Sequence, residues 1–290
     1  MGGVLLLGAV LLCTLLFAVP TNPFIQVLLL VTVSLGALGF LDDYMKVKRR
    51  TSEGISSRVK LFGQVGVAVA AGLILMLNPE TSDHVKGLHV PFLKTPLIED
   101  MGWFALPFFA LVIVGCSNAV NLTDGLDGLA IGCTITTGVA YAIFAYITGR
   151  QDWAENYLFL PHNEGVGEAA IFMMALVGAG LGFLWFNCHP AKVFMGDTGS
   201  LAIGGMLGTV AICTRQEVLL VLIGGVFVME AFSVILQVGS FKLRKKRIFA
   251  MAPIHHHFEL KGWPENKVIV RFWIISITCA LAGLATLKLR

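Results

Sequence analysis

Residues 102–148 read GWFALPFFALVIVGCSNAVNLTDGLDGLAIGCTITTGVAYAIFAYIT. Two apolar runs, at about 102–121 and 127–148, flank a short polar link whose charges are Asp124 and Asp127. Each run is long enough to cross a hydrocarbon core of about 30 Å, which takes roughly 20 helical residues. Backbone groups find no water there, so a crossing segment is either a helix or a strand of a closed barrel. Unbroken apolar stretches without a period-two alternation select helices.

The rest of the chain repeats the pattern. Of its 290 residues 56% are hydrophobic and 13% charged, against roughly 25% charged in soluble domains. Long apolar runs fall at about 3–19, 24–41, 61–77, 102–121, 127–148, 168–187, 200–213, 218–238 and 270–289, giving about nine spans. The fold class expected is an all-α polytopic membrane protein, a single membrane domain over 1–290. The seventh run is short and glycine-rich, which suits a helix tilted or packed inside the bundle. The opening MGGVLLLGAV has no basic segment and reads as a first span, not a signal peptide. Six cysteines lie in or beside apolar runs without C-x-x-C spacing, and are read as small buried hydrophobes. A net charge of +3 is too small to argue for nucleic acid.

With nine spans, alternate loops share a side. The loop after the second span carries Lys46, Lys48, Arg49, Arg50, Arg58 and Lys60, and the loop after the eighth carries the run KLRKKR at 242–247. The positive-inside rule makes that side cytoplasmic, and the basic run an anchor on anionic lipid. The cytoplasmic loops are then 42–60, 122–126, 188–199 and 239–269. On the outer side, the segment HVKGLHVPFL has the makings of a short hairpin.

Polar residues that can do chemistry gather in those inner loops. GFLDDYMK puts Asp42 and Asp43 side by side at a helix end, with Lys46 one turn after Asp42. A solvated helix end explains such a pair, and so does a cation site or an acid–base couple. In SNAVNLTDGLDGLA, Asn118, Asn121, Asp124 and Asp127 recur every third position on one helical stripe; Gly125 and Gly128 allow a flat ligand to approach. In WFNCHPAKVFMGDTGSLAIGG, Asp197, Thr198 and Ser200 open a small-residue helix whose N-terminus favours a phosphate. Asp197 leads as a magnesium ligand. His255, His256 and His257 in APIHHHFELKGWPENK lack the i,i+4 spacing of a helical zinc pair, so phosphate contact is preferred to metal ligation. Glu230 is the one acid deep in an expected span, with no basic residue beside it in sequence. Carboxylates crowded on one side of a membrane repel unless cations intervene, which points to a divalent metal and a phosphate-bearing substrate.

LDDYMK, NAVNLTDGLDGLA and FMGDTGS resemble the motifs of the polyprenyl-phosphate N-acetylhexosamine-1-phosphate transferase superfamily, and APIHHHFELKGWPE resembles the histidine segment of its MraY branch, the phospho-N-acetylmuramoyl-pentapeptide transferases. The likeness runs end to end. It implies magnesium-dependent transfer of phospho-MurNAc-pentapeptide from UDP-MurNAc-pentapeptide to undecaprenyl phosphate, giving lipid I and UMP for peptidoglycan, by a homodimer in the bacterial inner membrane with its active site facing the cytoplasm. It implies catalytic roles for Asp42, as the base on the lipid phosphate, and for Asp43, Asp197 and His256. Lys46 and Lys60 would meet substrate phosphates, and Asn121, Asp124, Gly125, Leu126, Asp127, Asn187 and Phe194 would form the nucleoside side. His255 and His257 would contact the diphosphate or sugar. A two-step route with an aspartate nucleophile stays open beside the direct one. Members of the family usually have ten spans and an inner loop ending in a PTMGG-like segment, so the first span and that loop are expected to be missing here. Two alternatives stand beside this reading: a relative using UDP-GlcNAc, and a transporter or lipid flippase, which usually carries its polar groups at mid-membrane.

Overall fold

The computed structural model describes residues 2–51 and 54–289. The described residues fold into helices, with one isolated antiparallel bridge, Leu88 to Ile98, where the outer hairpin was expected. The main helices are α1 (Gly2–Phe17), α2 (Pro23–Arg49), α3 (Ser57–Leu77), α4 (Ala105–Thr123), α5 (Leu129–Thr148), α6 (Glu168–Asn187), α7 (Gly196–Cys213), α8 (Gly225–Arg244), the short α9 (Ile254–Leu260) and α10 (Glu265–Ala285). Setting α9 aside, each of the nine expected segments is a helix. Seven of them are long and apolar enough to cross a membrane by length and composition. The other two are α1, which is shorter, and α7.

Local sequence explains the helix ends. Pro23 opens α2, and the Asn22 side chain accepts from the backbone N–H groups of Phe24 and Ile25. The same helix ends on Arg50 in the left-handed region, with Lys46, Lys48 and Arg49 in its last turn opposite the negative end of the helix dipole. Buried hydroxyls bond within their own helices: Thr14, Thr32, Thr134 and Thr209 each donate to the carbonyl four residues back. That satisfies polar groups where no water reaches.

Helix α7 is the axis of the bundle. Every residue from Thr198 to Cys213 is buried, with α2 and α4 packed closely along it and α1 at its start. Small residues permit this: a Cβ at Gly204 would collide with the α4 backbone at Cys116, and one at Gly39 of α2 with the α7 backbone at Asp197. The seventh apolar run is therefore an internal helix, the outcome its glycines allowed. Large apolar side chains such as Phe62, Leu111, Trp185 and Leu281 are exposed around the outside, as the surface of a lipid-facing bundle requires.

Cysteine placement departs from expectation. Cys133 and Cys213 are buried, whereas Cys13, Cys116 and Cys279 are half-buried and Cys188 is exposed, because Cys188 falls in a loop beyond the end of α6.

Successive helices alternate in direction. Gly2 and Gly3 donate to the carbonyls of Phe194 and Met195 at one end. At the other end Val19 donates to Glu168, Asn22 to Gly165, and the Asn163 side chain to Glu80. The C-termini of α2, α4, α6 and α8 and the N-termini of α3, α5, α7 and α10 meet at the first end, which gathers the four polar loops of the sequence reading.

Candidate active site

Two helix ends bring the three acids together. Asp42 and Asp43 come from the last turns of α2, and Asp197 from the first turn of α7; ligand oxygens of the three lie within 4.8 Å of one another. Asp42 is no solvated helix end: it is 3% exposed, with Lys46 Nζ 2.6 Å from Oδ2 and the Ile55 N–H donating to Oδ1 at 2.7 Å. Asp197 Oδ2 receives Lys60 Nζ at 2.6 Å and Lys46 Nζ at 3.1 Å, and Oδ1 accepts from the Asn121 amide at 2.9 Å.

Asp43 is spent differently. Its carboxylate accepts from the backbone N–H groups of Asp197 and Thr198 and from the Thr198 hydroxyl. It thus caps α7 from another helix and occupies the N-terminus that the sequence reading offered to a phosphate. Gly196 makes the approach possible: its φ is +70°, and a Cβ there would sit 2.6 Å from Asp43 Oδ2. Three carboxylates against two ammonium groups leave one formal negative charge uncompensated. An all-oxygen donor set of that charge fits a hard divalent cation such as magnesium.

A cleft of about 280 Å³ opens beside the acids, lined by Asn121, Asp124, Gly125, Leu126, Asp127, Asn187, Phe194, Met195, Gly196 and Asp197. The structure thus brings together the residues expected on the nucleoside side. Asn187 braces the walls, accepting from the Gly128 N–H at 3.1 Å and donating to the Val193 carbonyl at 2.7 Å. Asp127 is fixed by the Ala191 N–H, donated to Oδ2, and by its own N–H, donated to Glu265. Phe194, 64% exposed at the rim, presents a ring face on which a flat base can stack. Burial, then repulsion from Asp197 and Asp43, push the Asp124 carboxyl up to about 7.

The sequence profile of Glycosyl transferase family 4 matches residues 25–215. The phospho-N-acetylmuramoyl-pentapeptide-transferase of Methylacidiphilum infernorum (isolate V4) is 57% identical over 290 residues, covering 100% of this chain and 79% of that protein. Those of Syntrophus aciditrophicus (strain SB) and Desulfotalea psychrophila are each 54% identical over 291 residues, covering 100% of this chain and 80% of theirs. The chain belongs to glycosyl transferase family 4, among the phospho-N-acetylmuramoyl-pentapeptide-transferases. Membership in a transferase family sets aside the transporter alternative.

For a phospho-N-acetylmuramoyl-pentapeptide-transferase with this cleft, the histidine segment is placed unexpectedly. His255 is fully buried, its Nδ1 3.2 Å from Glu230 Oε1. It stands behind the cleft wall at Gly125 and does not face the open cleft. His256 pairs with Glu259 at 2.6 Å, and His257 Nδ1 accepts from the Ala250 N–H at 3.0 Å. Glu230, without a basic neighbour in sequence, has one in space.

One turn below Lys60 lies a layer of which sequence reasoning had singled out only Asn118. Gln64 donates to Ser117, which donates to the Leu201 carbonyl, and the Asn118 amide donates to Gln64. A lone amide in the apolar run of α3 was the available signal. His189 and Glu265, which meet Asp127 to form a second group of three possible metal ligands, lie within the quoted segments WFNCHPAKVFMGDTGSLAIGG and APIHHHFELKGWPENK, but nothing in their spacing said that they meet Asp127.

Proposed function

We propose that the chain transfers phospho-MurNAc-pentapeptide from UDP-MurNAc-pentapeptide to undecaprenyl phosphate, yielding lipid I and UMP, with magnesium, in the bacterial inner membrane. The observation that carries this reading is the meeting of Asp42, Asp43 and Asp197 with Lys46 and Lys60 at the edge of a cleft shaped for a nucleotide. The names of the relatives supply the substrates.

The chemistry is one phosphoryl transfer. A lipid phosphate oxygen attacks the β-phosphorus of the UDP-sugar, a new P–O bond forms, and the bond to the bridging oxygen breaks with its electron pair leaving on UMP. Asp42, held ready by Lys46 and the Ile55 N–H, takes the proton of the lipid phosphate. Lys46 and Lys60 lie where they can neutralise charge on the diphosphate. Asn121 orients Asp197, and Asp43 fixes the backbone that carries it. Magnesium, held through Asp197 beside Asp42 and Asp43, would supply Lewis-acid neutralisation of the diphosphate. Asn187, Asp124, Asp127 and Phe194 hold the nucleoside.

The basic loops at the site end support a cytoplasmic active site by the positive-inside rule, where UDP-linked substrate is available. A homodimer completes the reading, on the resemblance alone. The test is Asp197→Asn, which keeps the hydrogen bond from Asn121 but loses charge. It should abolish magnesium-dependent UMP release and leave the melting behaviour near that of the parent; near-normal turnover would remove the metal assignment.

A further inference from the structure

The pair Glu230 and His255 is unusual for its surroundings. Glu230 belongs to α8 and His255 to α9, and both are 0% exposed. Nδ1 and Oε1 stand 3.2 Å apart, within ion-pair range. Yet none of the four side-chain polar atoms makes an aligned hydrogen bond among the described residues. Removing a carboxyl group from water is costly unless its partners are well aligned, and an apolar side chain of similar volume packs there at less cost. Stability does not explain Glu230.

The far side of the imidazole does. His255 Nε2 abuts Gly125, where an added Cβ would collide with it. Gly125 lines the nucleotide cleft between Asp124 and Asp127. His256 packs against the same ring at 4.1 Å between centroids. A contact path therefore runs from Glu230 through His255 to the cleft wall, tying α8 and α9 to the loop after α4.

We propose that Glu230 is a positioning residue for the nucleotide cleft, holding the His255 ring against Gly125 and so setting where Asp124 and Asp127 stand. The carboxylate draws Nδ1 toward itself and fixes which ring edge faces Gly125, as partners of a histidine's second nitrogen do elsewhere. Without it the ring is free to turn and the wall to relax by a fraction of an ångström, enough to weaken binding on the order of tenfold. Asp42 and Asp197 lie on other helices, so the saturated rate should change by less than about threefold. This inference rests on the cleft's being a nucleotide site.

The test measures UMP binding by calorimetry and thermal melting on the whole chain in detergent. Glu230→Leu should raise the Kd for UMP about tenfold while the melting temperature holds or rises, since a buried carboxyl is replaced by an apolar group. An unchanged Kd, or a Kd that rises only as the melting temperature falls, overturns the proposal. Gly125→Ala gives an independent arm: it should weaken UMP binding by pressing on His255, and His255→Ala added to it should recover part of the loss. No recovery in the double variant also overturns the proposal. If the parent chain binds no UMP, the functional reading fails and this inference with it; if the parent binds and Glu230→Leu binds equally well, only this inference fails.

Discussion

Asp43 Oδ2 accepts hydrogen bonds from both the backbone N–H and the hydroxyl of Thr198, at 3.0 and 2.7 Å. The two residues are 155 positions apart, and the contact seats the end of α2 on the start of α7. A carboxylate in that place satisfies orphan donors of the helix and opposes its dipole. Asp43→Ala should cost about 1–2 kcal/mol of stability, seen as a melting temperature lowered by a few degrees, and should cut UMP release by at least about a hundredfold by displacing Asp197. Asp43→Asn, which keeps one acceptor, should fall between. Unchanged melting in Asp43→Ala would show that the cap carries no stability.

Lys60 and Lys46 both reach Asp197 Oδ2. A cation competing for that oxygen meets two ammonium groups already there. Lys60→Met should therefore tighten divalent-ion binding while lowering saturated turnover by roughly tenfold or more, because a positive charge facing the diphosphate is lost. Manganese binding followed by electron paramagnetic resonance reads the first effect without turnover. Equal affinity in parent and variant would contradict the competition.

Two carboxyls outside the spans resist ionisation. Burial, with repulsion from Asp197 and Asp43, raises Asp124 to about 7. At the other end, burial raises Glu217 to about 8, against partial relief from its own backbone and Arg215, and among the described residues neither of its carboxylate oxygens has an aligned hydrogen-bond partner. The ordinary values are 3.8 and 4.5, so the unfolded chain ionises first. Each group's contribution to stability is complete below its ordinary value and is lost as pH rises through the folded one. The melting temperature should fall between about pH 4 and about pH 8, and Asp124→Asn with Glu217→Gln should flatten that slope. A slope unchanged in the double variant would refute both assignments.

Much of this was legible in the chain itself. Apolar runs of spanning length give the helices, and the alternation of basic loops puts Asp42, Asp43, Asp124, Asp127 and Asp197 at one end before any contact is known. The glycines of α7 already hinted that it packs inside the bundle. Pairings between distant segments were not legible: nothing near Asp43 in sequence says that it caps α7, and nothing near Glu230 says that His255 comes to it from another helix. The histidine run was expected to contact phosphate, since imidazoles can donate to phosphate oxygens and the spacing does not suit a helical zinc pair. On the short helix α9 their side chains point different ways, so one is buried and two pair locally. Hydrophobic periodicity reports which face is buried, not which polar atom it meets.

The most direct test offers the purified chain UDP-MurNAc-pentapeptide and UDP-GlcNAc side by side, each with undecaprenyl phosphate and magnesium, and measures UMP. Release with UDP-MurNAc-pentapeptide, lost when magnesium is chelated and close to background with UDP-GlcNAc, is the expected result. Preference for UDP-GlcNAc, or magnesium-independent release, would contradict the function proposed for this site.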